Sequence, residues 1–232
     1  DPSQGVTTFL RRWEMNDFIF LLLVENLKPT AELAPDRVAW FSVVPESIRH
    51  SVVASVSHRF KIDVHEVPFL LTRAITGVAF ITVALVLAWR AARTPDQSRF
   101  CEAGFLTLAW FWLLCPTQNP WYWTWALPLL PFARSRAWLA VSGLVLLYYL
   151  RFWLSYHWPE STVLGTRYVG YAFFDFIVTW LEFAPWLLCL TLGLVLRKRS
   201  AERDIATVSR PHLASDDLRA PNRRPISVRG AS

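Results

Sequence analysis

Residues 69–89 read FLLTRAITGVAFITVALVLAW, about 21 positions carrying a single charge, Arg73, near one end. At 1.5 Å rise per residue a helix of that length crosses the roughly 30 Å hydrocarbon core of a bilayer, and a charge so near its end can snorkel to the headgroups. Residues 137–156 and 173–196 form two more such runs, the latter followed at once by Arg197, Lys198 and Arg199. Basic residues flanking a span mark the cytoplasmic side, so the C-terminus is expected there. The reading is an all-α fold, a polytopic bundle of transmembrane helices integral to the plasma or inner cell membrane.

Composition agrees: 53% of residues are apolar, 15% aromatic and only 18% charged, whereas soluble domains are about a quarter charged. The net charge of +6 lies largely in short loops and the tail, where it reports topology rather than nucleic-acid binding. Cys101, Cys115 and Cys189 sit in or beside apolar runs without ligand spacing and read as packing residues. His50, His58 and His65 lack any HExxH-type spacing, so no metal is expected. No basic-then-apolar leader is visible, and the true start is expected upstream of Asp1.

Between the first two runs, residues 103–132 are apolar but interrupted by Cys115-Pro116-Thr117-Gln118-Asn119-Pro120. A single crossing would place Arg90, Arg93 and Arg99 opposite Arg134 and Arg136; a hairpin with its tip at 116–120 gathers every basic loop on one side, as the charge rule prefers. The hairpin is therefore expected, its tip extracytoplasmic. Residues 1–67 then form an extracytoplasmic or interfacial segment, and 68–196 the membrane region, with spans near 69–89, 103–115, 121–132, 137–156 and 173–196. Residues 197–232 form a polar, basic, disordered tail. The arm 121–132 is short for a full span, hence tilted, re-entrant or prolonged. Phe18–Leu27 is also too short, which suits an interfacial helix or the end of a truncated one; residues 37–60 read as a partly helical external segment.

Three places can carry chemistry. Prolines 116 and 120 remove backbone donors inside an apolar run, and irregular backbone at membrane depth is tolerated only where protein or a wet cavity satisfies it. Gln118 and Asn119 are then candidates to hydrogen-bond a hydroxylated ligand, with Trp121, Tyr122 and Trp125 as stacking faces; an interfacial aromatic belt is the competing explanation. Arg73, Arg151, Asp175 and Glu182 are costly in lipid and should face protein or a cavity. Asp175 and Glu182, seven positions apart, are expected on one helical face, either in a phosphate, sugar or ion site or paired with Arg73 or Arg151. Arg11-Arg12-Trp13-Glu14-Met15-Asn16-Asp17 suits either a sugar phosphate or simple capping of the Phe18 helix.

Asn119-Pro120-Trp121-Tyr122, followed by a Trp and Leu127-Pro128, resembles the (H/N)PWY...W..LP element of bacterial mannosyltransferase-like multi-spanning proteins. Those are polyprenol-phosphate-sugar-dependent transferases of the GT-C superfamily. Trp13-Glu14-Met15-Asn16-Asp17 ahead of Phe20 resembles their W..N..lF element, in the same order. The resemblance implies an enzyme without cofactor that moves a hexose, mannose foremost, from a polyprenyl-phosphate donor to a glycan, lipid or protein hydroxyl at the extracytoplasmic face. It marks Trp13, Asn16, Asn119, Pro120, Trp121 and Tyr122 as substrate-lining, and Arg73 is the candidate phosphate partner. It also places the catalytic acid in a loop ahead of Asp1, so no catalytic residue is assigned; Asn119 in place of His leaves no proton-transfer role at that position. The rivals are a non-catalytic membrane subunit and a transporter, which would carry ionisable groups along a path to both faces.

Overall fold

A computed structural model describes residues 17–31, 33–93 and 96–208. Trp13, Asn16 and the tail from 209 onward lie outside the described residues. Among the described residues the structure is helical, with a single isolated bridge between Thr162 and Val169. The helices are α1 (Ile19–Leu27), α2 (Glu46–Phe60), α3 (Val67–Ala92), α4 (Gln97–Leu114), the single turn α5 (Pro120–Trp123), α6 (Ala137–His157), and α7, assembled from Gly170–Phe173, a π-helical turn Phe174–Val178 and Thr179–Val208. One compact unit extends to Cys189; a second begins at Leu190, and α7 runs into it, passing beyond Arg199 to Val208, so the first residues expected as tail are helical.

Among the described residues three helices are long and apolar enough to cross a membrane: Val67–Ala92, Ala137–His157 and Gly170–Gly193. Their outward faces agree, since Val78 and Leu85 on α3 are each 65% exposed, an arrangement that water would penalise. Helix α4 is not among them, because its first turns carry Arg99 and Glu102.

Helices α3 and α4 form an antiparallel pair, with Phe80 and Phe111 ring centroids 5.5 Å apart. The chain reverses after α4 and retraces its length, so that Arg134 Nε lies 2.9 Å from Glu102 Oε2 near the start of α4. This return arm is not a regular helix: after α5 it continues as a 3₁₀ stretch, Leu127–Phe132, in which Pro128 and Pro131 forbid the α-helical ladder. The 3₁₀ rise of about 2 Å per residue, against 1.5 Å in α4, lets few residues cover the distance. Arg90, Arg93, Arg99 and Arg134 line one cavity at that end.

Helix α1 is a core element rather than an interfacial one. Phe20, Leu21 and Val24 are buried with Ala39, Phe41, Tyr168, Ala172 and Phe176, and Phe20 meets Phe69 of α3 edge-on. Nine residues reach only about 13 Å, too short to span but enough to be enclosed. Asn26 ties α1 to the following loop, donating to Leu22 O and Phe41 O and accepting from Val43 N and Val44 N. The buried Arg49 of α2 donates to Val44 O at 2.7 Å and to Lys28 O at 3.1 Å.

Candidate functional site

The hairpin tip is held by its own polar groups. Two prolines cannot donate, so the last carbonyls of α4 are met by Cys115 N on Trp112 O and by Gln118 Nε2 on Leu113 O at 2.7 Å. Trp112 Nε1 donates to Asn119 O at 3.3 Å. Gln118 and Asn119 are thus buried, and Asn119 Oδ1 has no hydrogen-bond partner among the described residues. Pro120 opens α5 at its first position, where a missing N–H costs nothing.

The turn geometry sorts the aromatic residues. Trp123 points inward, 1% exposed, stacking on Trp138, meeting Trp112 at a tilt and donating to Ser142 Oγ at 2.9 Å. Trp121 and Trp125 stay 48% and 55% exposed, flanking the half-buried Tyr122. Stacking continues from Trp112 to Phe183 and from Phe183 to Phe18, so the hairpin tip and the residue following the Trp13–Asp17 stretch join one aromatic column.

A groove of about 380 Å³ lies where α3, the end of α4 and the tip meet. Its walls are apolar, from Phe80, Phe111, Leu114, Pro116, Tyr122 and Trp125, and Arg73 stands at its edge. Arg73 lies over the Phe69 ring at 5.4 Å, and its Nη1 is buried with no hydrogen-bond partner among the described residues. Arg73 and Tyr122 therefore line one groove, whereas Asn119, Pro120 and Trp121 are not among the residues lining it.

Asp175 pairs with Arg151, 3.1 Å between Nη2 and Oδ2. Asp175 lies within the π-helical turn 174–178, which interrupts the α-helical register on which a face shared with Glu182 depends. Its altered ladder is satisfied from outside: Trp40 Nε1 donates to Phe176 O at 2.6 Å and Thr179 Oγ1 to Phe174 O at 3.1 Å. Glu182 lies deep in the core at 2% exposure.

Asp175 and Arg151 line a second cavity, about 320 Å³, with Asp17, Glu25, Lys28 and Arg37, and with Tyr171 and Phe176 as ring faces. Asp17, Leu21, Glu25 and Lys28 recur at helical spacing and so share one face of the α1 segment. That spacing was readable in the sequence, but the apolar run around it draws attention away from Glu25. Glu25 is 5% exposed; burial, only partly offset by the Lys28 ammonium 3.3 Å away, holds its carboxyl above the usual range. The Glu25–Lys28 pair also borders a larger cavity of about 640 Å³ toward His50, His65 and Phe69. Among the described residues no three His, Cys, Asp or Glu side chains gather so as to hold a metal ion.

Comparison with protein-family models, curated proteins and solved structures finds no match for this chain. The class defined by the described residues is an all-helical protein with three helices long and apolar enough to cross a membrane.

Proposed function

We propose that the protein is a multi-spanning membrane glycosyltransferase, moving a sugar from a polyprenyl-phosphate donor to an acceptor hydroxyl at the extracytoplasmic face. The observation that carries this reading is the groove: an apolar trough open along α3, ending at a guanidinium whose Nη1 is buried without a hydrogen-bond partner among the described residues, and walled by Tyr122 and Trp125 of the hairpin tip. A polyprenyl chain matches such walls, and its phosphate matches Arg73, since arginine meets phosphate oxygens as a fork. Tyr122 on the groove wall, and Trp121 whose ring meets it edge-on, supply ring faces for the sugar.

In the reaction an acceptor hydroxyl attacks the anomeric carbon, a carboxylate takes its proton, and the anomeric carbon–oxygen bond to phosphate breaks. Arg73 stabilises the charge gathering on the departing lipid phosphate. The five membrane segments of the sequence reading, with the return arm of the hairpin as an incomplete crossing, give this site its orientation: basic loops and C-terminus cytoplasmic, hairpin tip outside. A transporter would need a path of ionisable groups through the helices, whereas Arg73, Arg151 and Asp175 lie within about two turns of the ends of α3, α6 and α7 near the tip, and Arg90, Arg93, Arg99 and Arg134 border a separate cavity at the opposite end of α3.

Membranes carrying the full-length protein are expected to transfer radiolabelled sugar from a polyprenyl-phosphate donor. Trp121→Ala or Tyr122→Ala should abolish transfer, and Arg73→Ala should slow it about a hundredfold or more. Unchanged transfer in all three variants would refute the site.

A further inference from the structure

We propose that the charged cavity between α1, α6 and α7 binds a neutral polyhydroxylated ligand, the sugar end of the acceptor. Its identity as the acceptor pocket rests on the glycosyl-transfer reading; its capacity to bind a sugar does not.

Three carboxylates (Asp17, Glu25, Asp175) and three cations (Lys28, Arg37, Arg151) border one space. A phosphorylated ligand would meet three acids there, and an inorganic cation would meet three bases. Hydroxyls suit both kinds, donating to carboxylates and accepting from guanidinium and ammonium groups. The volume of about 320 Å³ falls at the small end of ligand sites, and Tyr171, 38% exposed, offers a ring face. A second observation points to a ligand independently. Glu25 is 95% buried by its 5% exposure, lines this cavity, and has its Oε2 without a hydrogen-bond partner among the described residues, while its Oε1 takes the Lys28 ammonium. Such a buried acceptor is expensive to leave unsatisfied, and a turn of the Glu25 carboxylate toward the cavity that the residue lines lets a ligand hydroxyl donate to it. The larger cavity on the other side of the Glu25–Lys28 pair gives a further sugar residue room, so an oligosaccharide acceptor fits as well as a single ring.

The test is binding of methyl α-D-mannopyranoside and methyl α-D-glucopyranoside to the full chain in detergent, without donor, followed by saturation-transfer NMR and equilibrium dialysis. Saturable binding is expected for at least one glycoside, weakened about tenfold by Glu25→Gln, the loss of one hydrogen bond to a charged group. Arg37→Ala, on an exposed loop, should weaken it severalfold and decides the matter if the first variant does not fold. Absence of binding to either glycoside, affinity unchanged in the variants that fold, or displacement by equimolar inorganic phosphate overturns the proposal. Glycoside binding without sugar transfer would overturn only the transferase reading; transfer with an unaltered response to both variants would overturn only the cavity.

Discussion

Glu46 and Arg49 organise the segment ahead of the first long helix. Glu46 accepts from Thr30 N at 2.8 Å, Thr30 Oγ1 at 2.9 Å and Ala31 N at 3.1 Å. Although lost hydration acts in the opposite direction, those donors hold its carboxyl below the usual range. A lowered folded-state pKa means the stabilisation is present above the unfolded value, about 4.3, and is lost as pH falls through the folded value. Protection factors at Thr30 and Ala31 amides are therefore expected to fall in acid below about pH 4, and Glu46→Gln should remove that dependence. Pattern reading left these residues unmarked because their partners are backbone groups brought in by a turn, which no spacing announces. The same is true of Asn26. Arg73, by contrast, was visible as a lone charge in an apolar run, and Tyr122 as part of a short motif.

Among the elements, the long apolar helices were legible because length and hydropathy announce them; Val67–Ala92 and Ala137–His157 enclose the runs expected at 69–89 and 137–156. The chain reversal was legible from charge, because only a reversal returns Arg134 to the start of α4. The form of the return arm was not, since prolines fix only what the backbone cannot do. Nor was the enclosure of α1, which depends on Ala39, Tyr168 and Phe176 arriving from distant segments. The π-helical turn in α7 was invisible too, because it is stabilised across the fold by Trp40. Trp40→Phe keeps the ring contacts but removes the donor to Phe176 O, and it should lower stability by about 1–3 kcal/mol, measured as a reduced thermal midpoint in detergent. A midpoint equal to that of the parent would mean that the turn holds itself.

For the whole molecule, the proposed orientation is checked by single cysteines in a background with Cys101, Cys115 and Cys189 replaced. Leu164→Cys, in an 84% exposed position of the α6–α7 connection, should react with a membrane-impermeant maleimide from outside, and Arg93→Cys only after the membrane is opened. The reverse pattern inverts the topology, and equal labelling of both from outside removes the crossing by α3.

The Glu25–Lys28 pair lines both cavities, so ligands held in the two are expected to be thermodynamically linked. A ligand that draws the carboxylate to itself in the smaller space leaves the ammonium to face the larger one. Occupancy on one side then alters affinity on the other, and by reciprocity the effect is equal in both directions. On the proposed acceptor reading, a second sugar residue would meet a wall already changed by the first, and binding would depend on the length of the ligand.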